Sequence, residues 1–112
     1  MPVPAADARL VLTTAGSLEE AEHIARSLLD EHLAACVNII PGLTSIYRWK
    51  GDVESASEVL LLIKTTAPNL DRLESALRRL HSYEVPEFLA FTPESASKPY
   101  LDWLLQSAAQ TR

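Results

Sequence analysis

The sequence predicts an α+β domain in which one βαβ unit occurs twice. In both halves of the chain, a predicted strand is followed by an amphipathic helix and then by another strand. The halves align at a constant offset of 52 residues, which carries residues 12–15 (LTTA) onto residues 64–67 (KTTA). The same offset places Ala25 of the first helix on Leu77 of the second. Two βαβ units with right-handed crossovers form a four-stranded antiparallel sheet with two helices on one face, the ferredoxin-like fold.

The first half begins with a strand at residues 9–14, followed by a helix that starts at Ser17. Ser17 and Glu20 have the spacing of a capping box, in which both side chains accept hydrogen bonds from free backbone donors at the helix start. The apolar residues that follow have the spacing of a helix that buries one face. They are Ala21, Ile24, Ala25, Leu28 and Leu29.

The remaining elements follow from turn signals and apolar runs. A second strand covers residues 36–49, with an interruption at Pro41 and Gly42, and residues 50–52 (KGD) supply a hairpin turn. The continuous apolar run at residues 59–63 is typical of a strand near the middle of a sheet. Further elements are a second helix at residues 69–81, a fourth strand at residues 88–91 and a short C-terminal helix around residues 100–105.

The order of strands in the sheet predicts an unusually long hairpin. In this fold the first and third strands are central and the second and fourth are edges, which agrees with Pro41 in the second. The hairpin of the second and third strands would project beyond its neighbours by on the order of 20 Å. Because an isolated hairpin is marginally stable, we expect another subunit to cover its apolar side chains. The alternative is that the C-terminal helix folds back over them.

Composition excludes several classes of function. The 112 residues fit a single domain, residues 1–112, with an ordered core at about residues 8–107. The net charge of −5 and the scattered basic residues argue against nucleic acid and anionic membrane as partners. No apolar run is long enough to cross a membrane, and the N-terminus lacks the features of a signal peptide. With Cys36 as the single cysteine, a cytoplasmic protein is the simplest expectation.

Five segments of the chain resemble the signature segments of the CutA divalent-cation-tolerance family. They are residues 33–42 (LAACVNIIPG), 45–51 (SIYRWKG), 59–66 (VLLLIKTT), 81–87 (HSYEVPE) and 100–104 (YLDWL). The resemblance covers about residues 9–105. It implies a cytoplasmic homotrimer whose hairpins interlock around inter-subunit clefts, with a role in tolerance of divalent metals, copper above all. It also implies an architecture like that of the PII nitrogen-regulatory proteins, and therefore a regulatory alternative.

Three residues are candidate metal ligands. Cys36 is the strongest, because thiolate suits Cu(I) and the family's Cys-Val-Asn segment matches here. The alternative for Cys36 is a small buried apolar side chain. His81 and Glu84 form a His-x-x-Glu pair at the end of the second helix, and both side chains can bind a metal. The alternative for His81 is a residue that orients the following loop.

A second candidate set would line a cleft between subunits. Lys64 ends an apolar strand, where it could bind an anion or pair with Glu84 or Glu87, or simply extend into solvent. Aromatic residues would supply the walls of the cleft, unless they only pack at the interface. With Lys64 and Glu84, the proposed set comprises Tyr47, Trp49, Tyr83 and Trp103.

The sequence therefore supports two alternative functions and argues against an enzyme. The first is a trimer that binds copper or another divalent cation. The second is a PII-like regulator that binds a small molecule or a partner protein. An enzyme would need Cys36 as nucleophile and His81 as base, but no family-specific Cys-His signature or glycine-rich phosphate loop is present. We therefore expect no catalytic residues and assign no certain cofactor.

Overall fold

The computed structural model describes residues 1–109, so residues 110–112 of the predicted domain lie outside the described residues. The main elements are β2 (Ala8–Ala15), α1 (Leu18–Asp30), β3 (Cys36–Trp49), β4 (Asp52–Thr66), α2 (Leu70–Leu80), β5 (Leu89–Phe91) and α3 (Lys98–Ser107). Two short strands, β1 (Val3–Pro4) and β6 (Ser95–Ala96), pair with each other, and a 3-10 turn (Ala67–Asn69) precedes α2. The short β1–β6 ladder has no counterpart in the sequence prediction.

The four-stranded antiparallel sheet has the order β3-β4-β2-β5. The prediction of the fold, with the first and third long strands central, is therefore confirmed. Pro41 and Gly42 form an irregularity on the edge strand β3, between Ile40 and Leu43. Proline has no N–H to donate to a neighbouring strand, which fits an edge strand, and the ladder resumes beyond the irregularity with Leu43 opposite Glu58.

The β3–β4 hairpin projects far beyond the rest of the sheet. Strand β2 pairs with β4 only from Val59 to Thr66, whereas β3 pairs with β4 on both sides of its irregularity, as far as Trp49 opposite Asp52. Lys50 and Gly51 close the hairpin with φ values of 50° and 87°, the left-handed conformations that a two-residue type I′ turn requires.

The main core lies between the sheet and the two long helices. Side chains of a strand alternate between its faces, and Val11, Leu61 and Ile63 on one face are fully buried. They pack against the buried residues of α1 and α2, which are Ala21, Ile24, Ala25, Leu28, Leu73, Ala76 and Leu77. Leu29, the last residue of the stripe predicted for α1, is instead 41% exposed. Ser17 caps α1 as predicted, since its hydroxyl accepts a hydrogen bond from the Glu20 N–H.

Helix α3 lies against the opposite face of the sheet, at the end remote from the hairpin tip. Leu10 and Lys64 alternate with the core residues of their strands, and both line a cavity next to Tyr100 and Leu104 of this helix. The alternative in which the C-terminal helix covers the hairpin is therefore wrong. Ile46, Tyr47, Trp49 and Val53 on the hairpin remain 43–72% exposed. Within residues 1–109, no helix is long and apolar enough to cross a membrane.

Asn69 joins three parts of the chain at the end of the sheet where α3 terminates. Its side chain is 1% exposed. The Nδ2 group donates a hydrogen bond to the carbonyl of Ala108 at 2.8 Å, with longer contacts to His32 and Thr65. The Oδ1 atom accepts a hydrogen bond from Arg72 at 3.0 Å. A single buried amide thus connects the start of α2 to the end of α3.

Candidate functional site

An open cavity of ≈ 470 Å³ lies where the hairpin leaves the body of the domain. Three aromatic side chains and three carboxylates line it: Tyr47, Trp49, Tyr83, Glu58, Glu84 and Glu87. Small hydroxyl side chains and the apolar Val85 and Pro86 complete the walls. Among the described residues, no lysine or arginine lines this cavity. It therefore combines apolar walls with excess negative charge.

The strand periodicity explains why the hairpin presents these residues together. Ser45, Tyr47 and Trp49 are two residues apart on β3, so their side chains point to the same face. Glu58 lies opposite Leu43 in the β3–β4 register and points to that face as well. The remaining wall comes from residues 83–87, the segment between α2 and β5. Two distant parts of the sequence thus meet at the cavity.

Tyr83 and Glu58 make the shortest polar contact in the cavity wall. The Tyr83 hydroxyl donates a hydrogen bond to Glu58 Oε2 at 2.7 Å. Burial, followed by this hydrogen bond and the charge of Glu58, raises the pKa of Tyr83 far above its ordinary value. The phenol therefore stays protonated and keeps donating throughout the physiological range. This contact fixes the Tyr83 ring against the base of the hairpin.

Glu87 contributes a second carboxylate near Glu58. Partial burial, and then the like charge of Glu58, raises the pKa of Glu87 above its ordinary value of 4.5. Two carboxylates that repel each other favour either a shared proton or a bound cation. The cavity thus has an electrostatic preference for positive charge.

His81 anchors the segment that carries Tyr83. Its Nδ1 accepts a hydrogen bond from the Tyr83 N–H at 3.0 Å, so the ring proton lies on Nε2, which donates to the Thr14 carbonyl at 2.6 Å. Glu20 supports the same segment, because its carboxylate accepts a hydrogen bond from the Ser82 N–H at 2.8 Å. Both ring nitrogens of His81 are engaged, and these contacts fit the interpretation that it orients the following loop.

The chain does not bring the three predicted metal ligands together. Cys36 pairs with Lys64 at one end of β4, whereas His81 contacts Thr14, whose partner on β4 is Leu60. These positions are about 13 Å apart along the strand.

Other acidic and metal-binding side chains do not complete a metal site around Cys36 or His81 in the described residues. Glu84 lines the cavity, and the carboxylate nearest to the His81 ring belongs to Glu20, at 3.7 Å. Within residues 1–109, no group of three or more His, Cys, Asp or Glu side chains could hold a metal ion.

The predicted cleft residues also divide into two groups within one chain. Tyr47, Trp49, Tyr83 and Glu84 line the hairpin cavity as a set. Lys64 lies at the other end of the sheet, with its ammonium 5.7 Å from the centre of the Tyr100 ring. Trp103 packs against the same tyrosine, with ring centres 5.4 Å apart. Within one chain the register of β4 separates Lys64 from Glu84 and Glu87, so their pairing across a cleft between subunits stays a prediction.

Sequence reasoning missed two residues that shape the cavity. Glu58 was not identified because it follows a polar stretch of the hairpin and matches no motif. The alternation of Ser45 and Tyr47 on the partner strand is the signal that could have placed it. Glu20 was assigned only to the helix cap, since its contact with Ser82 depends on how α1 packs beside the end of α2.

The sheet order, the two helices on one face and the projecting hairpin define a ferredoxin-like α+β protein with an extended hairpin. The family model described as CutA1 divalent ion tolerance protein matches residues 9–107. The divalent-cation tolerance protein CutA of Thermus thermophilus is 49% identical over 98 residues, which cover 88% of this chain and 95% of that protein. The chain belongs to the CutA1 divalent ion tolerance family.

Structural and plant relatives extend the comparison. The structure of CutA from Synechococcus elongatus PCC7942 matches with a TM-score of 0.92 and 39% identity, covering 97% of this chain and 96% of that one. The chloroplastic CutA of Arabidopsis thaliana is 43% identical over 98 residues, or 88% of this chain. The chain spans 54% of the length of that plant protein, and about half of the mammalian relatives it matches.

Proposed function

We propose that this protein binds divalent metal ions, copper foremost, as a cytoplasmic homotrimer and without catalysing a reaction. Membership of the divalent ion tolerance family carries the metal part of the proposal. Cys36 is the soft ligand of the chain, and it is a free thiol that is only half buried at the start of β3. Because the described part of one chain contains no three-ligand cluster, a complete site needs ligands from more than one copy.

The uncovered hairpin supports the trimeric state. Ile46 and Val53 on the projecting hairpin are 72% and 65% exposed, and neither α3 nor any other described element packs over them. Such a hairpin gains stability when its free edges pair with other chains. Closed rings of identical subunits form through head-to-tail contacts of this kind.

The separation of Cys36 from His81 supports a role that is not enzymatic. A cysteine nucleophile needs its base within hydrogen-bond distance, about 3 Å. Within one chain the two residues lie about 13 Å apart along the direction of β4, and both His81 nitrogens are already hydrogen-bonded. The cytoplasmic location rests on the reduced state expected of a lone thiol. Relatives differ in this respect, as the chloroplastic protein of Arabidopsis illustrates.

A copper titration followed by native mass spectrometry tests this proposal. We expect the reduced protein to appear as trimers that bind copper in a fixed ratio to Cys36. The Cys36→Ala protein should bind at least ten-fold less tightly. His23→Ala is the matched control, because it removes an exposed imidazole from α1 and should leave uptake unchanged. Equal copper uptake by the Cys36→Ala protein and the unchanged chain contradicts the metal proposal.

The hairpin cavity favours a second function, that of a PII-like regulator which binds a small organic molecule or partner. Its volume of ≈ 470 Å³ and its aromatic walls are typical of small-molecule sites. Saturable ligand binding that changes the Trp49 environment would support this function. Loss of that signal in a Tyr83→Ala protein, with an unchanged trimer, would assign the ligand to the cavity.

A further inference from the structure

The geometry points to an organic cation, an ammonium group on an apolar or aromatic body, as the ligand of the cavity formed by Tyr47, Trp49, Tyr83, Glu58 and Glu87. This inference rests on the second proposed function, small-molecule binding at the hairpin cavity, and specifies the chemistry of the ligand. It does not depend on metal binding by Cys36, which lies at the other end of β4.

The aromatic walls of the cavity can attract the cation through cation–π contacts. Cations are attracted to the faces of tryptophan and tyrosine rings within about 6 Å of the ring centre. The chain places one of its own cations in this way, since the Lys50 ammonium lies 5.7 Å from the centre of the Trp49 ring. Tyr47 and Trp49 are each 43% exposed, so much of their surface is accessible in the single chain.

The carboxylates of the cavity attract the same cation by their charge. Glu58 lies at the base of the cavity, with one oxygen bonded to the Tyr83 hydroxyl at 2.7 Å, which leaves its other oxygen to accept from an ammonium group. Glu87 stands close enough for the two charges to interact, and a cation between them would relieve that repulsion. An anionic ligand would meet the repulsion of Glu58, Glu84 and Glu87 together.

The shape of the cavity favours an organic cation over a bare metal ion. Carboxylate pairs hold Mg²⁺ or Ca²⁺ through several oxygens at about 2.0–2.6 Å. Among residues 1–109, no three His, Cys, Asp or Glu side chains, and so no three of the cavity carboxylates, are grouped so that they could hold a metal ion. The walls between them are instead aromatic rings together with Val85 and Pro86, which bury an apolar body.

Three probes of matched shape test the inference: 2-phenylethylammonium, 2-phenylethanol and phenylacetate, which are positive, neutral and negative. Each is titrated into the full-length ¹⁵N-labelled protein at pH 7 while the two indole N–H signals are followed. Trp49 lines the cavity, and Trp103 on α3 serves as an internal control at the other end of the sheet. We expect the cation to shift the Trp49 signal to saturation, with at least ten-fold tighter binding than the alcohol.

Variants assign the charge effect to named residues. Glu58→Gln keeps an oxygen that accepts the Tyr83 hydrogen bond but removes the charge, and we expect it to weaken cation binding about ten-fold. Glu22→Gln removes an equivalent charge from the exposed face of α1 and should change nothing. Binding should also weaken as the pH falls from 7 through the raised pKa of Glu87, because protonation removes one of the attracting charges.

The outcomes separate this inference from the function on which it rests. Equal binding of all three probes at Trp49 overturns the preference for cations and leaves small-molecule binding intact. No response of Trp49 to any probe overturns both.

Discussion

Removal of the Asn69 side chain should destabilise the domain by more than the loss of one hydrogen bond, because its amide group makes two short ones. Asn69→Ala removes the 2.8 Å hydrogen bond to the Ala108 carbonyl and the 3.0 Å bond from Arg72. A buried carbonyl left without its donor costs about 1–3 kcal/mol, and the part-buried Arg72 bond adds about 0.5–1 kcal/mol. The contacts to His32 and Thr65, at 3.4 and 3.5 Å, are too long to add much.

The expected decrease in the free energy of unfolding is therefore about 1.5–4 kcal/mol. Urea denaturation followed by circular dichroism measures it, with a midpoint lowered by roughly 1–2 M for a domain of this size. All samples need the same protein concentration, because the proposed trimer would make the stability depend on it.

Two matched variants make the Asn69 result interpretable. Asn69→Asp keeps an acceptor for Arg72 but loses the donor to Ala108, so it should lose most of the same stability. Gln106→Ala removes an exposed amide from α3 and should stay within about 0.5 kcal/mol of the unchanged protein. The reasoning is refuted if Asn69→Ala is no less stable than Gln106→Ala.

Three further predictions concern charge and backbone conformation. Burial alone would raise the pKa of Glu20, but hydrogen bonds from Ser82 hold this pKa below 4.5. The ionised Glu20 carboxylate therefore stabilises the fold at pH 7, and this stabilisation is lost as the pH falls through the lowered pKa. Glu20→Gln should accordingly flatten the acid side of the stability–pH curve in urea titrations; an unchanged curve contradicts this. Because the pKa of Glu87 is raised above 4.5 in the folded state, ionisation of Glu87 opposes folding, and stability falls as the pH rises from about 4.5 through the folded-state pKa. Glu87→Gln should remove this loss of stability in the same titrations. Gly51→Ala places a side chain at φ 87° and should cost about 1 kcal/mol in urea denaturation, whereas a neutral result would mean that the turn relaxes.

Most of the fold could be predicted from the sequence, because its signals are local and repeated. The apolar stripe that includes Ile24 and Leu28 defines the buried face of α1 without knowledge of its neighbours. Pro41 marked the edge strand, since proline cannot donate within a sheet. The β1–β6 ladder was missed because two-residue strands carry no periodic pattern.

The candidate site was only partly predictable, because it depends on contacts between distant segments. Tyr47, Trp49 and Tyr83 were identified as wall residues, and the chain does gather them in one cavity. The partner of Tyr83 could not be read from the sequence, since Glu58 is brought to it by the β3–β4 register and by the path of the loop after α2. Lys64 was placed with the acidic residues in a cleft between subunits, and one chain alone does not bring them together, because Lys64 lies at the end of β4 remote from the hairpin turn.

The long hairpin also affects how the chain folds. We expect its pairing to begin at Trp49 and Asp52, next to the turn, and to extend towards Cys36 and Lys64, because each step then closes only a short additional loop. The central β2–β4 pairing instead joins residues about 45–60 positions apart in sequence, which makes it the slower event. Before β2 pairs with β4, the hairpin would therefore expose apolar side chains that the finished sheet covers. The concentration of chains during synthesis therefore decides whether it meets its own β2 or another molecule first.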